Sequence, residues 1–316
     1  MEQLKNDRLT VSISSKGAEI VSIKNADGVE YLWDGDEKYW NRHSPILFPI
    51  VCGLWENTYR IDGKEYHMNR HGFARDMEFS VESVSPYFVI YDLTYNEETL
   101  KVYPYKFKLS ITYALCENSI AVKWEVSNID DKVMHFQIGG HPAFIVPGNE
   151  KGKELHGKLS FDCANPTRLY GNEGGCLKET RDTVETTEGE KDANHWAFTE
   201  HSFDDDAVII DHCQMHEIDI LDEKDIPHVK VKFDAPCVGI WSPAGKHAPF
   251  VCIEPWYGVT DKAGFKGEFR DKYLMNSLLP GASFITGYSI ELPKEHAHLS
   301  KNNLMNKLID QFILNQ

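Results

Sequence analysis

The sequence predicts an all-β chain, a large antiparallel sandwich or barrel closed by a short C-terminal helix. Three observations predict it. Short segments alternate apolar and polar residues near period two, and turn residues separate them at a spacing of about 8–12 residues. Helical periodicity is almost absent until the last residues.

The elements follow in chain order. Leu9-Thr-Val-Ser-Ile-Ser14 and Glu19-Ile-Val-Ser-Ile-Lys24 alternate and are rich in β-branched residues. Asp27-Gly28 and Asp62-Gly63 sit between such runs, where a type I′ hairpin turn needs positive φ. Lys106 to Tyr113 and Ser119 to Asn128 alternate again, the latter with Ile120, Val122, Trp124 and Val126 on one face. The polar stretch from Pro147 to Asn194, with Gly148, Gly152, Gly171, Gly174 and Gly175 among its residues, reads as long loops. The strand texture returns at Ala207 to Ile210, His228 to Phe233, Val238 to Trp241 and Phe284 to Leu292. Only Asn302 to Leu314 has a helical apolar stripe, from Leu304, Leu308, Ile309 and Phe312. No repeat or linker divides the chain, so residues 1–293 are expected to form a single domain and 294–316 a helical tail.

Composition excludes whole classes of function. The 49 acidic residues exceed the 33 basic ones, giving a net charge of −16 that repels nucleic-acid phosphates and anionic membrane surfaces. No apolar run is long enough to span a bilayer, and the N-terminus shows no signal-peptide core. The seven cysteines are odd in number, scattered and without a CxxC pair, which reads as reduced thiols in a cytoplasmic protein.

Three polar constellations stand out. Asn69-Arg-His71-Gly-Phe-Ala-Arg75-Asp76 places an imidazole between arginines. In Ile138-Gly-Gly-His141-Pro-Ala-Phe144 the glycines permit close approach and Pro142 stiffens the far side. Phe250-Val-Cys-Ile-Glu254-Pro-Trp-Tyr-Gly258 ends an apolar strand in a carboxylate among aromatics, surroundings that raise its pKa. Singly, each also reads as an ordinary turn, loop or strand end. Together, two histidines and a glutamate are a complete acid–base set that requires neither nucleophile nor metal. His212 and His216, near Asp211, Cys213, Glu217 and Asp219, have metal-ligand spacing on a helix. The segment reads instead as strand-like, with these as exposed hairpin side chains, so no metal site is expected. A glycosidase needs paired carboxylates but would leave the histidine blocks unexplained.

These blocks, in this order, resemble the aldose 1-epimerase (galactose mutarotase) family, in particular its smaller bacterial LacX-like branch. The resemblance runs from the start of the chain to about Leu292. It takes in His43-Ser-Pro-Ile-Leu-Phe-Pro-Ile50, Tyr59 to Tyr66, His71 to Asp76, Gly139 to Phe144, Gly239-Ile-Trp-Ser-Pro243 and Glu254 to Gly258. It implies a galactose mutarotase-like β-sandwich whose concave face holds a sugar. It also implies a reaction that opens the pyranose ring and recloses it on the other face, with no cofactor. By the same resemblance Glu254 is the base, His141 the acid, and His71 a hydrogen-bonding partner of the sugar near its ring oxygen.

Two departures bear on substrate. The family's Gly-Arg pair is replaced in Ile50-Val-Cys-Gly-Leu-Trp55, with Gly53 where the arginine would stand; Arg42 and Arg70 are the nearby substitutes. The family's hydroxyl-orienting Asp follows a Phe, which points to Asp204, with Asp205 and Asp206 as register alternatives. Trp241 and Trp256 offer aromatic faces to a pyranose. A hexose-6-phosphate epimerase would need a cationic pocket from Arg42, Arg70, Arg75 or Lys262; an inactive sugar-binding member is the other alternative. The acidic balance favours a neutral sugar. The expected partner is a small-molecule sugar, and the expected assembly a monomer or homodimer.

Overall fold

The computed structural model describes residues 1–188 and 194–293. The expected tail helix, Asn302 to Leu314, lies outside the described residues. The structure is dominated by antiparallel strands, with two large sheets of ten and eight strands.

The ten-stranded sheet is centred on Phe107–Cys116, Ser119–Asn128 and Ser283–Glu291. Along Ser119–Asn128 every second residue is buried, so the alternation in sequence becomes one inward and one outward face. The eight-stranded sheet contains Cys237–Trp241, Phe250–Tyr257, Ile138–Gly140 and Ile46–Leu47 in neighbouring positions. Phe250–Tyr257 is buried at all but its last residue, because both of its faces are covered. The sheets meet through large aromatics: Trp124 of the first stands edge-on to Tyr257 of the second at 6.5 Å. Gly140 allows this approach, since a Cβ there would lie 3.1 Å from the Tyr288 ring. The largest apolar cluster runs from Leu4 to Leu292 in sequence.

Several sequence expectations are corrected. The stretch from Pro147 to Asn194 holds strands at His156–Phe161, Thr167–Glu173, Cys176–Thr183 and Thr187–Glu188 rather than only loops. Both Cys176–Thr183 and Thr187–Glu188 are edge strands; the first carries charges at neighbouring positions that hide any alternation, and the second is two residues long. Asp62-Gly63 does form the two-residue turn, with φ of 50° and 76°. At Asp27-Gly28 only the glycine has positive φ, so that turn is not type I′. A short helix, Glu97–Val102, has no apolar stripe to announce it; Asn96 starts it by accepting from the N–H groups of Glu98 and Thr99, both at 2.9 Å. Among the described residues no helix is long and apolar enough to cross a membrane.

Candidate active site

Glu254 lies within its strand, not at its end. The neighbouring strand explains both this and the tolerance of Pro255. Gly139 pairs with Trp256 and Ala143 with Cys252, but the chain between them leaves the ladder at His141-Pro142. On this side the ladder opposite Pro255 is open, where an imino nitrogen costs no bond, while on the other side Pro255 stands opposite Val238. The same break turns His141 onto Glu254, with Nε2 3.2 Å from Oε2. Both side chains are buried, at 8% and 1% exposed. His141 Nδ1 and Glu254 Oε2 have no hydrogen-bond partner.

The electrostatics of the pair follow from that dryness. Burial raises Glu254 well above the usual carboxylate range; Asp206 adds to this, while Trp256 and Arg70 oppose it. Burial also pulls His141 down to about 3. The unliganded site thus favours one proton on the pair, held by the carboxyl.

His71 completes the set. Its backbone is left-handed at φ 68°, and its N–H donates to Cys52 O at 2.8 Å. The Cys52 N–H donates in turn to His71 Nδ1 at 3.2 Å. An accepting Nδ1 fixes the tautomer with the proton on Nε2, so this ring offers a donor. Burial, helped by His141 and Arg75, holds His71 well below the ordinary 6.5 and keeps it neutral. Its ring meets His141 edge-on at 5.5 Å.

These three residues line one cavity of about 230 Å³ with Trp40, Arg70, Asp206 and Trp241 among its walls. The Trp40 ring stacks on His141 at 4.8 Å, and Trp241 meets the same imidazole edge-on at 5.5 Å. Trp256 is the buried floor. Its indole passes between Gly139 and Gly239, where any Cβ would collide with it. The two glycines in the sequence blocks are thus explained by this ring.

Arg70 stands on the side of Gly53. Its Nη1 donates to Asp206 at 3.2 Å and its Nη2 to Gly175 O at 3.5 Å. The hydroxyl of Thr260 holds that same carbonyl at 2.8 Å and accepts from Gly53 N–H at 3.2 Å. Arg70 thus places a guanidinium in the cavity wall beside Gly175. Arg75 also lines the cavity and donates to Arg70 O at 2.8 Å. Burial, reinforced by Arg42, lowers Arg75 to about 10.

Four expectations about candidate residues change. Asp204 is exposed and pairs with His201 at 3.1 Å, so the carboxylate in the cavity is Asp206. The register shifts because a short 3-10 turn, Glu200–Phe203, ends at Asp204 and the chain then reverses at Asp206, φ 70°. Arg42 does not line the cavity; it is drawn to Asp76 at 2.8 Å. Lys262, the remaining phosphate candidate, is likewise absent from the lining. His212 and His216 part company in a turn rather than a strand, the first beside Asp211 at 3.6 Å and the second beside Asp162 at 3.8 Å.

Sequence reasoning missed Trp40, Thr260 and the packing role of Gly175. The dense Tyr39-Trp-Asn-Arg42 run just before His43 was the available signal for the first. The other two act through contacts between distant segments, which spacing does not encode.

Comparison with known proteins bears on this arrangement. A family model described as aldose 1-epimerase matches residues 2–273. The protein LacX of Lactococcus lactis subsp. lactis, chromosomal form, is 33% identical over 303 residues, covering 92% of this chain and 98% of that protein. A galactose mutarotase related enzyme from Lactobacillus acidophilus superposes with a TM-score of 0.84 at 35% identity, covering 93% and 97% of the two chains. A galactose mutarotase-like protein from Lactobacillus casei gives 0.86 at 32% identity, covering 93% and 100%.

Proposed function

The chain belongs to the aldose 1-epimerase family, and from that premise we propose that it interconverts the α and β anomers of a hexose by acid–base ring opening and reclosure. One observation carries the proposal: the buried contact of His141 with Glu254 inside a cavity that His71 also faces.

The chemistry requires one proton to leave the C1 hydroxyl and another to reach the ring oxygen. Glu254 as carboxylate takes the first, and protonated His141 delivers the second. Sugar entry between the two replaces their direct contact, with the pair in its His⁺/Glu⁻ form. The C1–O5 bond breaks as the C1 carbonyl forms. Rotation about C1–C2 presents the other face, and the same two protons return. The pair carries one proton before and after, so no co-reactant is consumed. Each partner in such a scheme supplies about 10²–10⁴-fold. His71 Nε2–H is suited to hydrogen-bond the oxygen on which charge develops. Arg70 and Asp206 present a donor and an acceptor to sugar hydroxyls, while Trp40 and Trp241 supply faces for its C–H surface.

The test is anomer exchange of free glucose and galactose, followed by optical rotation or NMR. Exchange faster than the buffer rate, abolished in E254Q, is expected. Sugar binding without exchange would make the chain an inactive carbohydrate-binding member instead.

A second reading, a hexose-6-phosphate epimerase, is favoured by Arg75. Its buried Nε has no hydrogen bond, and its nearest acid, Asp76 at 3.8 Å, is closer to Arg42. An anionic group at C6 would answer that charge. Hexose 6-phosphates turned over faster than free hexoses, with the advantage lost in R75Q, would establish this reading.

A cytoplasmic location agrees with the free state of all seven cysteines. The domain limits of 1–293 and the monomeric or dimeric state stand as part of the same proposal.

A further inference from the structure

We propose that His141, Cys252 and Glu254 form a binding site for a thiophilic divalent cation of the Zn²⁺ type, whose entry shuts down the acid–base pair. The inhibitory consequence rests on the function proposed above; cation binding itself does not.

Cys252 and Glu254 are two apart on one strand, so their side chains share a face. His141 leaves the neighbouring strand at the same level, where Cys252 pairs with Ala143. One ligand atom from each of the three lies within 4.8 Å of the others. Tetrahedral Zn²⁺ with bonds of about 2.0–2.3 Å spaces its ligands roughly 3.3–3.7 Å apart. The 3.2 Å between His141 Nε2 and Glu254 Oε2 already matches one edge of that tetrahedron.

The second observation is the state of the ligands. Glu254 Oε2 is buried with no hydrogen bond beyond its 3.2 Å contact with His141 Nε2, and the other nitrogen of His141 has none. A buried carboxyl with so little polar company gains from a cation that takes the place of its proton. Ring opening gives the Cys252 thiol no part, yet it is fully buried beside the two groups that carry the chemistry. A thiolate–imidazole–carboxylate set selects Zn²⁺ or Co²⁺ over Mg²⁺ and Ca²⁺, which prefer oxygen ligands. The fourth position faces the cavity and takes water. Because a thiolate binds the metal, the cation displaces the Cys252 proton to solvent, and with it the proton on the His141–Glu254 pair.

The purified protein is titrated with ZnCl₂ by calorimetry and with CoCl₂ by absorption spectroscopy, beside C252A, C252S and a C213S control at the exposed thiol. One equivalent of metal, a thiolate-to-cobalt charge-transfer band and displacement of cobalt by saturating sugar are expected in the wild type. Anomer exchange should fall with Zn²⁺, not with Mg²⁺, and return on adding EDTA. Both Cys252 variants should keep uninhibited exchange, lose the band and bind Zn²⁺ at least about tenfold more weakly. A wild type without the band, a band that survives in a Cys252 variant, or one lost in C213S overturns the proposal. A protein without exchange activity that still shows the Cys252-dependent band would refute the proposed function and leave the cation site standing.

Discussion

The guanidinium of Arg70 lies over Gly175, with Nη2 3.5 Å from the glycine carbonyl and so near its Cα that a Cβ would overlap it. Gly175 also has φ 78°, which L residues rarely adopt. Gly175→Ala must therefore push the flexible end of Arg70 away from Asp206. The backbone strain costs about 1 kcal/mol. In the proposed function Arg70 would hold the sugar equally in ground and transition states, so KM should rise about tenfold with kcat nearly unchanged. Steady-state anomer exchange measures both, and a fall confined to kcat would remove Arg70 from the binding wall.

Removing either member of the pair should stop the reaction without unfolding the protein. E254Q keeps side-chain volume, and H141N trims a ring that lines the cavity rather than filling the main core, so the fold should hold. Each should reduce kcat by about 10²–10⁴-fold. The double variant should be scarcely worse than the slower single one, because acid and base act on one proton inventory. Multiplicative losses would show that they act in separate steps.

Beneath the cavity, Lys272 and Asp261 form an ion pair at 2.8 Å with both side chains 1% exposed. Lys272 also donates to Val259 O, and Asp261 accepts from Trp55 N–H, so the pair fixes the loop that carries Thr260. Lys272→Ala leaves a buried carboxylate alone and should cost about 3–5 kcal/mol. Adding Asp261→Asn should recover part of it. Urea midpoints of the single and double variants decide; an unchanged midpoint in K272A would show the pair to be dispensable.

How much of this was legible depends on what encodes it. Ser119–Asn128 could be read to the residue because one face is buried and the other wet, which writes itself as alternation. Cys176–Thr183 could not, since an edge strand has no such constraint. His71, His141 and Glu254 were visible because each sits in a local block whose glycines and proline shape the backbone. Asp206 was legible only as a register alternative to Asp204, because a turn, not a strand, sets its direction. Trp40 escaped because its stacking on His141 joins segments about 100 residues apart in a chain of 316.

The titration of the buried site should be visible in stability. His141 is held down to about 3 and His71 well below 6.5, both chiefly by burial, while unfolded imidazoles titrate near 6.5. Between those values the unfolded chain binds protons that the folded one refuses. Their contribution is complete above 6.5 and is lost as pH falls toward 3, with a limiting slope near 1.4 kcal/mol per pH unit for each histidine. Glu254 has the opposite sign. Its folded value is raised by burial, so its contribution is complete below the ordinary 4.5 and is lost as pH rises toward the folded value. Urea unfolding of the wild type, H141N and E254Q from about pH 4 to about pH 8 separates the two effects. H141N should flatten the acid side of the profile, and E254Q should flatten the neutral side and leave the acid side in place. Three parallel profiles would mean that neither group is held in the neutral form that burial favours in the unliganded site.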